Sequence, residues 1–500
     1  MNSEHLKNAA VGALVVATLV TGVIVLAPGD GRDDRPAPTP AARARAAAAA
    51  GAPAALPDLN ALITDRERRL RARPRDDESW AVLGAAYAER GTRLGDWASF
   101  PKAETALRRS LELRPGDRGN TDALLGLAAL ANARQDFRAA RTWAQRAEKQ
   151  RPRQWTVYPA LIDAYSGLGD YESAGKSLDR LTRLHSGSRA RAASARIYRD
   201  LGWREDAAAN AYDAVGGAQG PMEKAVALRV LGDLAWERGE PAEAIESYDH
   251  ALRLVPDHHP ALASRARALA SLGRTDEAFR DYRAAFARHP LPEYALETGE
   301  LYESLGLDTD AQAQYAAMRA AAGQAAANGV DTDLTLARWE ADHGAPESAI
   351  DRLRPEWIAG RRTPQLADAL GWAFFKAGRS KDALPYARKA VEGLRTPLIL
   401  YHRGEIERAR GRYGPARRHI GQALRVNPYF SPLLAPLARN ALAALGEPPP
   451  GGPKKMTGRE GREGKSGSGA RRDAAGVEGT SRLDGTVGSG GTAGNGGVGR

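Results

Sequence analysis

Residues 239–290 read GEPAEAIESYDHALRLVPDHHPALASRARALASLGRTDEAFRDYRAAFARHP. The stretch divides into two near-copies. Gly239 and Gly273, Ala244 and Ala278, Tyr248 and Tyr282, Ala251 and Ala285, and Pro256 and Pro290 are each separated by 34 residues. One spacing kept by five kinds of position marks a structural repeat, which sets the fold before any other feature. A glycine in the left-handed conformation ends a first helix and lets the chain reverse. A small alanine lets the second helix approach the first closely, and tyrosine fills the space beside that contact. Proline ends the second helix and opens the next unit. The stretch predicts antiparallel helix pairs joined in series.

Other units fall on the same grid: Leu127, Ala140, Ala147 and Pro152; Leu161, Tyr165, Gly169 and Ala174; Tyr198, Gly202, Ala207 and Ala214. Further on come Gly299, Tyr302, Gly306, Ala311 and Tyr315; Leu370, Gly371, Phe374, Gly378, Ala383 and Ala390; and Gly404, Gly411, Ala416, Ala423 and Pro428. One unit is degenerate, keeping Leu336, Gly344 and Ala349 but placing Glu340 where an aromatic is usual. The first unit, with Trp80, Leu83, Gly84, Tyr87, Ala103 and Pro115, matches after an insertion of about seven residues in 91–101. Smaller slips at Gly216–Gly217 and in 323–328 are expected to fall in turns between units, where a solenoid tolerates them.

These residues resemble the tetratricopeptide-repeat (TPR) consensus, a Trp, Leu-Gly, Tyr, Ala, Phe or Tyr, Ala, Pro series at fixed offsets, over residues 77–430. The resemblance implies an all-α, right-handed superhelical solenoid of about ten helix-turn-helix repeats, and a binder of proteins or peptide segments rather than an enzyme. The long first turn, followed by Pro101-Lys102-Ala103-Glu104 and Leu107-Arg108-Arg109-Ser110-Leu111, looks like that of membrane-anchored or secreted TPR proteins of actinobacteria.

Residues 1–8 are a short stub, and 9–27 are an uncharged apolar run. At about 1.5 Å per residue the run just spans a hydrocarbon core of about 30 Å. It reads as an uncleaved, single-pass membrane anchor. A cleaved signal peptide is the alternative, although Pro28 would stand just past the cut. Residues 28–57, rich in Pro and Ala, read as a semi-rigid spacer. Arg32, Arg35, Arg43 and Arg45 against Lys7 lean towards a cytoplasmic body. The spacer favours a body held outside the cytoplasm, which is the expectation adopted. A leading helix is expected in 58–76, where Leu59, Leu62, Ile63 and Leu70 form a stripe. A capping helix is expected in 431–446, delayed by Pro432 and Pro436, because terminal units must cover the last apolar face. The Gly-rich tail 447–500, almost without apolar residues, reads as disordered.

The chain has 500 residues, a formal net charge of +11 and no cysteine. Absence of cysteine excludes disulfides, thiolate zinc sites, Fe–S clusters and a Cys nucleophile. Its basic residues alternate with Asp and Glu at helical spacing along the whole chain, which fits solvated helix faces and not a nucleic-acid footprint. No H-E-x-x-H, G-x-S-x-G or dinucleotide glycine fingerprint occurs. Gly464-Lys465-Ser466 imitates the end of a phosphate loop, but Arg459 occupies the position of its first glycine. His258 and His259 lie between Pro256 and Pro260 in an inter-repeat turn without a third ligand nearby, and read as an exposed turn. Neither a metal, a cofactor nor a catalytic residue is expected.

By resemblance to the family, the second, fifth, ninth and twelfth residues of each unit line a concave groove. These are Arg196, Arg199, Arg229, Asp233, Trp236 and Arg267 in the centre, then Glu300 and Glu303, then Asp368, Trp372, Phe375, Tyr401, Glu405 and Arg408. Arg196, Arg199, Arg229, Trp236, Arg267, Trp372, Phe375 and Tyr401 are the candidate partner-binding set. Arginine captures carboxylates in bidentate fashion and aromatics anchor peptides. The plainer reading is solvated arginines, with Trp236, Trp372 and Phe375 packed between units. The family's carboxylate clamp is not expected, because Ala192 and Arg196 stand where its Lys and Asn would be.

Overall fold

A computed structural model of the protein describes residues 37–49, 54–115 and 119–446. Among the described residues there are 23 helices and no strand. Two leading helices, α1 (Pro40–Ala49) and α2 (Leu56–Ala72), precede ten antiparallel pairs. The pairs are α3–α4 (Asp77–Leu94, Ser99–Leu113), α5–α6 (Thr121–Ala133, Phe137–Gln150), α7–α8 (Val157–Leu168, Tyr171–Leu184), α9–α10 (Ser188–Asp200, Arg204–Gly217) and α11–α12 (Pro221–Glu237, Pro241–Leu254). They continue as α13–α14 (His259–Ser271, Thr275–Arg288), α15–α16 (Pro292–Ser304, Asp308–Ala327), α17–α18 (Asp333–Asp342, Pro346–Ile358), α19–α20 (Pro364–Lys376, Ser380–Gly393) and α21–α22 (Pro397–Ala409, Tyr413–Val426). A last helix, α23 (Leu434–Ala444), packs on α22.

Local chemistry places these boundaries. Many first helices begin with proline in their first two positions, where the missing N–H costs nothing. The seven expected turn glycines, Gly169, Gly202, Gly239, Gly273, Gly306, Gly378 and Gly411, all have positive φ. Each second helix buries one alanine at the same register. Ala103, Ala140, Ala174, Ala207, Ala244, Ala278, Ala311, Ala349, Ala383 and Ala416 are at most 1% exposed. On the facing first helix a glycine often accepts a large ring, as Gly232 accepts Tyr248 and Gly299 accepts Tyr315. Ala244→Leu should therefore overpack the α11–α12 contact and cost about 1–3 kcal/mol. Thermal unfolding checks this, and an unchanged midpoint would show that the contact has room.

The insertions are resolved differently from expectation. Residues 323–327 extend α16 and Gly216–Gly217 extend α10, instead of lengthening turns. The 323–327 segment is rich in alanine, which favours helix continuation. In the first unit α3 runs on to Leu94, and Trp97 and Phe100 are buried against each other and the core. Glu340, at the degenerate aromatic position, pairs with Arg352 at 2.7 Å, so an ion pair replaces the ring. Within the residues read as spacer, α1 packs on α2, with Ala44 buried and Arg43 paired with Asp58.

The superhelix touches itself between turns. His289 Nε2 lies 2.9 Å from Thr92 O, Arg134 Nε donates to Asn328 O at 3.2 Å, and Asn427 Nδ2 donates to Trp236 O at 2.7 Å. Arg362 N donates to Leu168 O at 2.8 Å, and Arg138 pairs with Glu356. The first three join residues 197, 194 and 191 apart, between five and six repeat lengths, and Arg138 and Glu356 lie 218 apart. Together they form a seam of polar contacts along the solenoid.

The expectation of a single-pass membrane protein, partnered to the bilayer by its N-terminal helix, is corrected. Among the described residues no helix is long and apolar enough to cross a membrane. Their helices are short, amphipathic and committed on one face to neighbours, and even the 20-residue α16 carries Asp308, Asp310 and Arg319. The 9–27 run and the 447–500 tail lie outside the described residues.

Candidate functional site

Successive first helices, α3, α5, α7 and so on to α21, pack on one another as well as on their own partners. The more closely spaced layer is the inner one of a curved stack, so this layer forms the concave face.

Three of the four predicted arginines meet there. Arg229 pairs with Asp233, whose other oxygen accepts from Tyr248 Oη at 2.9 Å and Ser264 Oγ at 3.0 Å. Arg199 pairs with Glu237 at 2.6 Å, and Arg267 pairs with Glu297 at 2.7 Å, where Tyr282 Oη also donates. Burial alone would push the Asp233 carboxyl up, but Arg229, Arg199 and Arg267 outweigh it and hold it below the usual range. Arg196 stands apart, exposed, with Asp163 at 3.0 Å. Each arginine is thus answered by an acid of this chain.

The aromatic part is a cluster packed between units. Trp372 and Tyr401 are buried and Phe375 is partly buried, with the Trp372 ring centroid 5.0 Å from Phe375 and 6.1 Å from Tyr401. His402 stacks on Trp372 at 3.9 Å, and Trp372 Nε1 donates to Asp342 at 3.0 Å. Trp236 is also buried.

A cavity of about 430 Å³ opens on the inner face, walled by α13, α15, α17, α19 and α21 and by the segment from Pro428 into α23. Trp236, Arg267 and Trp372 line it with Glu297, Glu300, Arg338, Asp342, Asp368 and His402. Burial, then Glu297 and Asp342, pushes the Glu300 carboxyl up to about 8. Arg338, Asp342 and His402 were not singled out from the sequence. For His402 a signal existed: it lies 34 residues after Asp368, at the same repeat register.

His258 and His259, read as an exposed turn, are largely enclosed. His258 Nδ1 accepts from Ala261 N and caps α13. His259 stacks on His289 and meets Tyr294 Oη at 2.9 Å. Burial lowers His258 to about 4 and His259 to about 3, so both are neutral packing groups at pH 7. Among the described residues no group of three or more His, Cys, Asp or Glu could hold a metal ion.

A tetratricopeptide-repeat family model matches residues 195–259, 229–282 and 368–428. No curated protein sequence matches the chain. Among solved structures, a thermophilic TPR protein of Thermus thermophilus is similar at 23% identity over 37% of this chain and 98% of that one, with TM-score 0.33. The APC/C hetero-tetramer Cut9–Hcn1 is similar at 14% identity over 82% and 84%, with TM-score 0.40. A human IFIT1 dimer with PPP-AAAA is similar at 15% identity over 70% and 81%, with TM-score 0.43. No enzyme family is indicated. The helix pairs and their turn glycines make the described residues an all-α repeat superhelix, in which the segments 195–282 and 368–428 match tetratricopeptide repeats.

Proposed function

We propose that the protein is an interaction scaffold that binds a protein or peptide segment along the inner face of its repeats. The observation that carries this reading is the continuous layer of first helices with a cavity opening on it. Its fold is typical of protein–protein interaction scaffolds. The proposed contact set is Arg196, Arg199, Arg229, Trp236, Arg267, Trp372, Phe375 and Tyr401. Arg196 and Phe375 are its most available members, since the other arginines are more enclosed in their pairs and the other aromatics are buried. No cofactor enters this reading.

Site-specific photo-crosslinking tests it. A crosslinking amino acid placed at Arg196 or Phe375 should trap one recurring partner. The same group at Arg280, exposed on a second helix, should not. Equal trapping at Arg280 would remove the inner face as the binding surface.

A further inference from the structure

The cavity holds two hydrogen-bond acceptors that no donor fills. The first is the Glu300 carboxyl: among the described residues it has no hydrogen bond or ion pair, although it lines the cavity. The second is on His402. Its Nδ1 lies 3.0 and 3.1 Å from the two oxygens of Asp368, so that in the neutral imidazole the proton sits on Nδ1 and Nε2 is an acceptor. His402 is only 6% exposed, and among the described residues its Nε2 is buried without a partner. A buried polar atom left unpaired is costly, and the His402 ring lines the cavity, so a donor that reached Nε2 after a small turn of the ring would relieve that cost.

The charges around these acceptors select the kind of donor. Glu293, Glu297, Glu300, Asp342 and Asp368 face three arginines, Arg267, Arg338 and Arg439. Most are already committed: Glu297 to Arg267, Asp342 to Lys376 and Trp372, Asp368 to His402, and Glu293 to Thr335. Glu300 is the carboxylate left over. The groups that bear on it are Glu297 and Glu303 of its own helix, Arg338 and Asp342 of α17, Tyr282 of α14 and Tyr315 of α16. Arg338 makes no ion pair with it. Leu296, Leu301, Ala369 and Phe430 supply apolar wall beside this polar end. An aliphatic stem ending in a cationic donor matches both parts, and a volume of about 430 Å³ leaves room for one such side chain.

We propose that this cavity receives one basic side chain, arginine or lysine, of the bound segment, with the Glu300 carboxylate and His402 Nε2 as its acceptors. This deepens the scaffold reading and rests on it. A cation entering the cavity must ionise Glu300, which at pH 7 largely carries its proton, so binding releases that proton.

The test is isothermal titration of the full chain at pH 7 with blocked pentapeptides Ala-Ala-Arg-Ala-Ala and Ala-Ala-Gln-Ala-Ala, in phosphate and in Tris. The arginine peptide should bind at least about tenfold more tightly than the glutamine peptide, with proton release seen as a buffer-dependent enthalpy. Glu300→Gln should abolish both the preference and the release. Equal affinities in the wild type, binding of neither peptide, or an undiminished preference in Glu300→Gln would each overturn the assignment. Partner trapping at Arg196 and Phe375 separates the two readings. If trapping persists while the arginine preference is absent, the scaffold stands and the cationic subsite falls.

Discussion

Gly169→Ala should destabilise the solenoid by more than the same change at any turn glycine with open space around it. Gly169 has φ of 80°, which an L-residue adopts only at a cost of roughly 1–2 kcal/mol. The further cost comes from 193 residues away. A Cβ at Gly169 would stand 2.5 Å from Arg362 C, 2.6 Å from Arg362 O and 2.7 Å from Thr363 N. These are backbone atoms at the start of α19, beside the bond from Arg362 N to Leu168 O. They cannot rotate aside, so the seam must part, which should add about 1–3 kcal/mol. Gly273→Ala is the control: its φ is 74° and a Cβ there meets nothing within 4 Å. Thermal unfolding of the two variants, with amide exchange near Arg362 and radius of gyration by solution scattering, checks the argument. Equal losses in the two variants would mean that the seam contributes nothing.

Asp233→Ala should be the most damaging single change on the inner face, at about 3–5 kcal/mol. It removes the counter-charge of Arg229 and strips Tyr248 and Ser264 of their acceptor, all in enclosed surroundings. Asp233→Asn keeps an acceptor for the hydroxyls and should lose less. The pH dependence has a definite sign. The folded-state carboxyl is held below its ordinary value, so its stabilisation is present above the unfolded value of about 3.9 and disappears as pH falls through the folded value. The native protein should therefore lose stability on acidification below about pH 4, and Asp233→Asn should lose less over that range. Amide exchange across α11 to α14 reads the local effect. A loss under about 1 kcal/mol for Asp233→Ala would mean that the network is open to water.

The candidate site was only partly legible. Asp233, Glu300, Asp368, Trp372 and Tyr401 were readable as inner-face positions through the resemblance to tetratricopeptide repeats, which implies that the second, fifth, ninth and twelfth residues of each unit line the groove. Their states were not readable. Arg267 reads as a free cation until Glu297, one repeat on, is seen to hold it. Trp372 reads as an anchor until Asp342 and His402 are seen to enclose it. His259 reads as part of an exposed turn because the groups that cover it, His289 at the end of α14 and Tyr294 of the next unit, lie 30 or more residues further along the chain.

The sequence by itself determined the helix pairs, their turns and the order of the units. Helix ends and close helix contacts are local matters: a glycine at positive φ, a proline at the first turn and an alanine at the crossing need nothing beyond their own unit. Only the tertiary structure decided that Gly169 abuts Arg362, that Asn427 reaches Trp236, and that α13 to α23 enclose a cavity. Those contacts depend on the small rotation between successive units, summed over five or more repeats, and no single repeat encodes that sum.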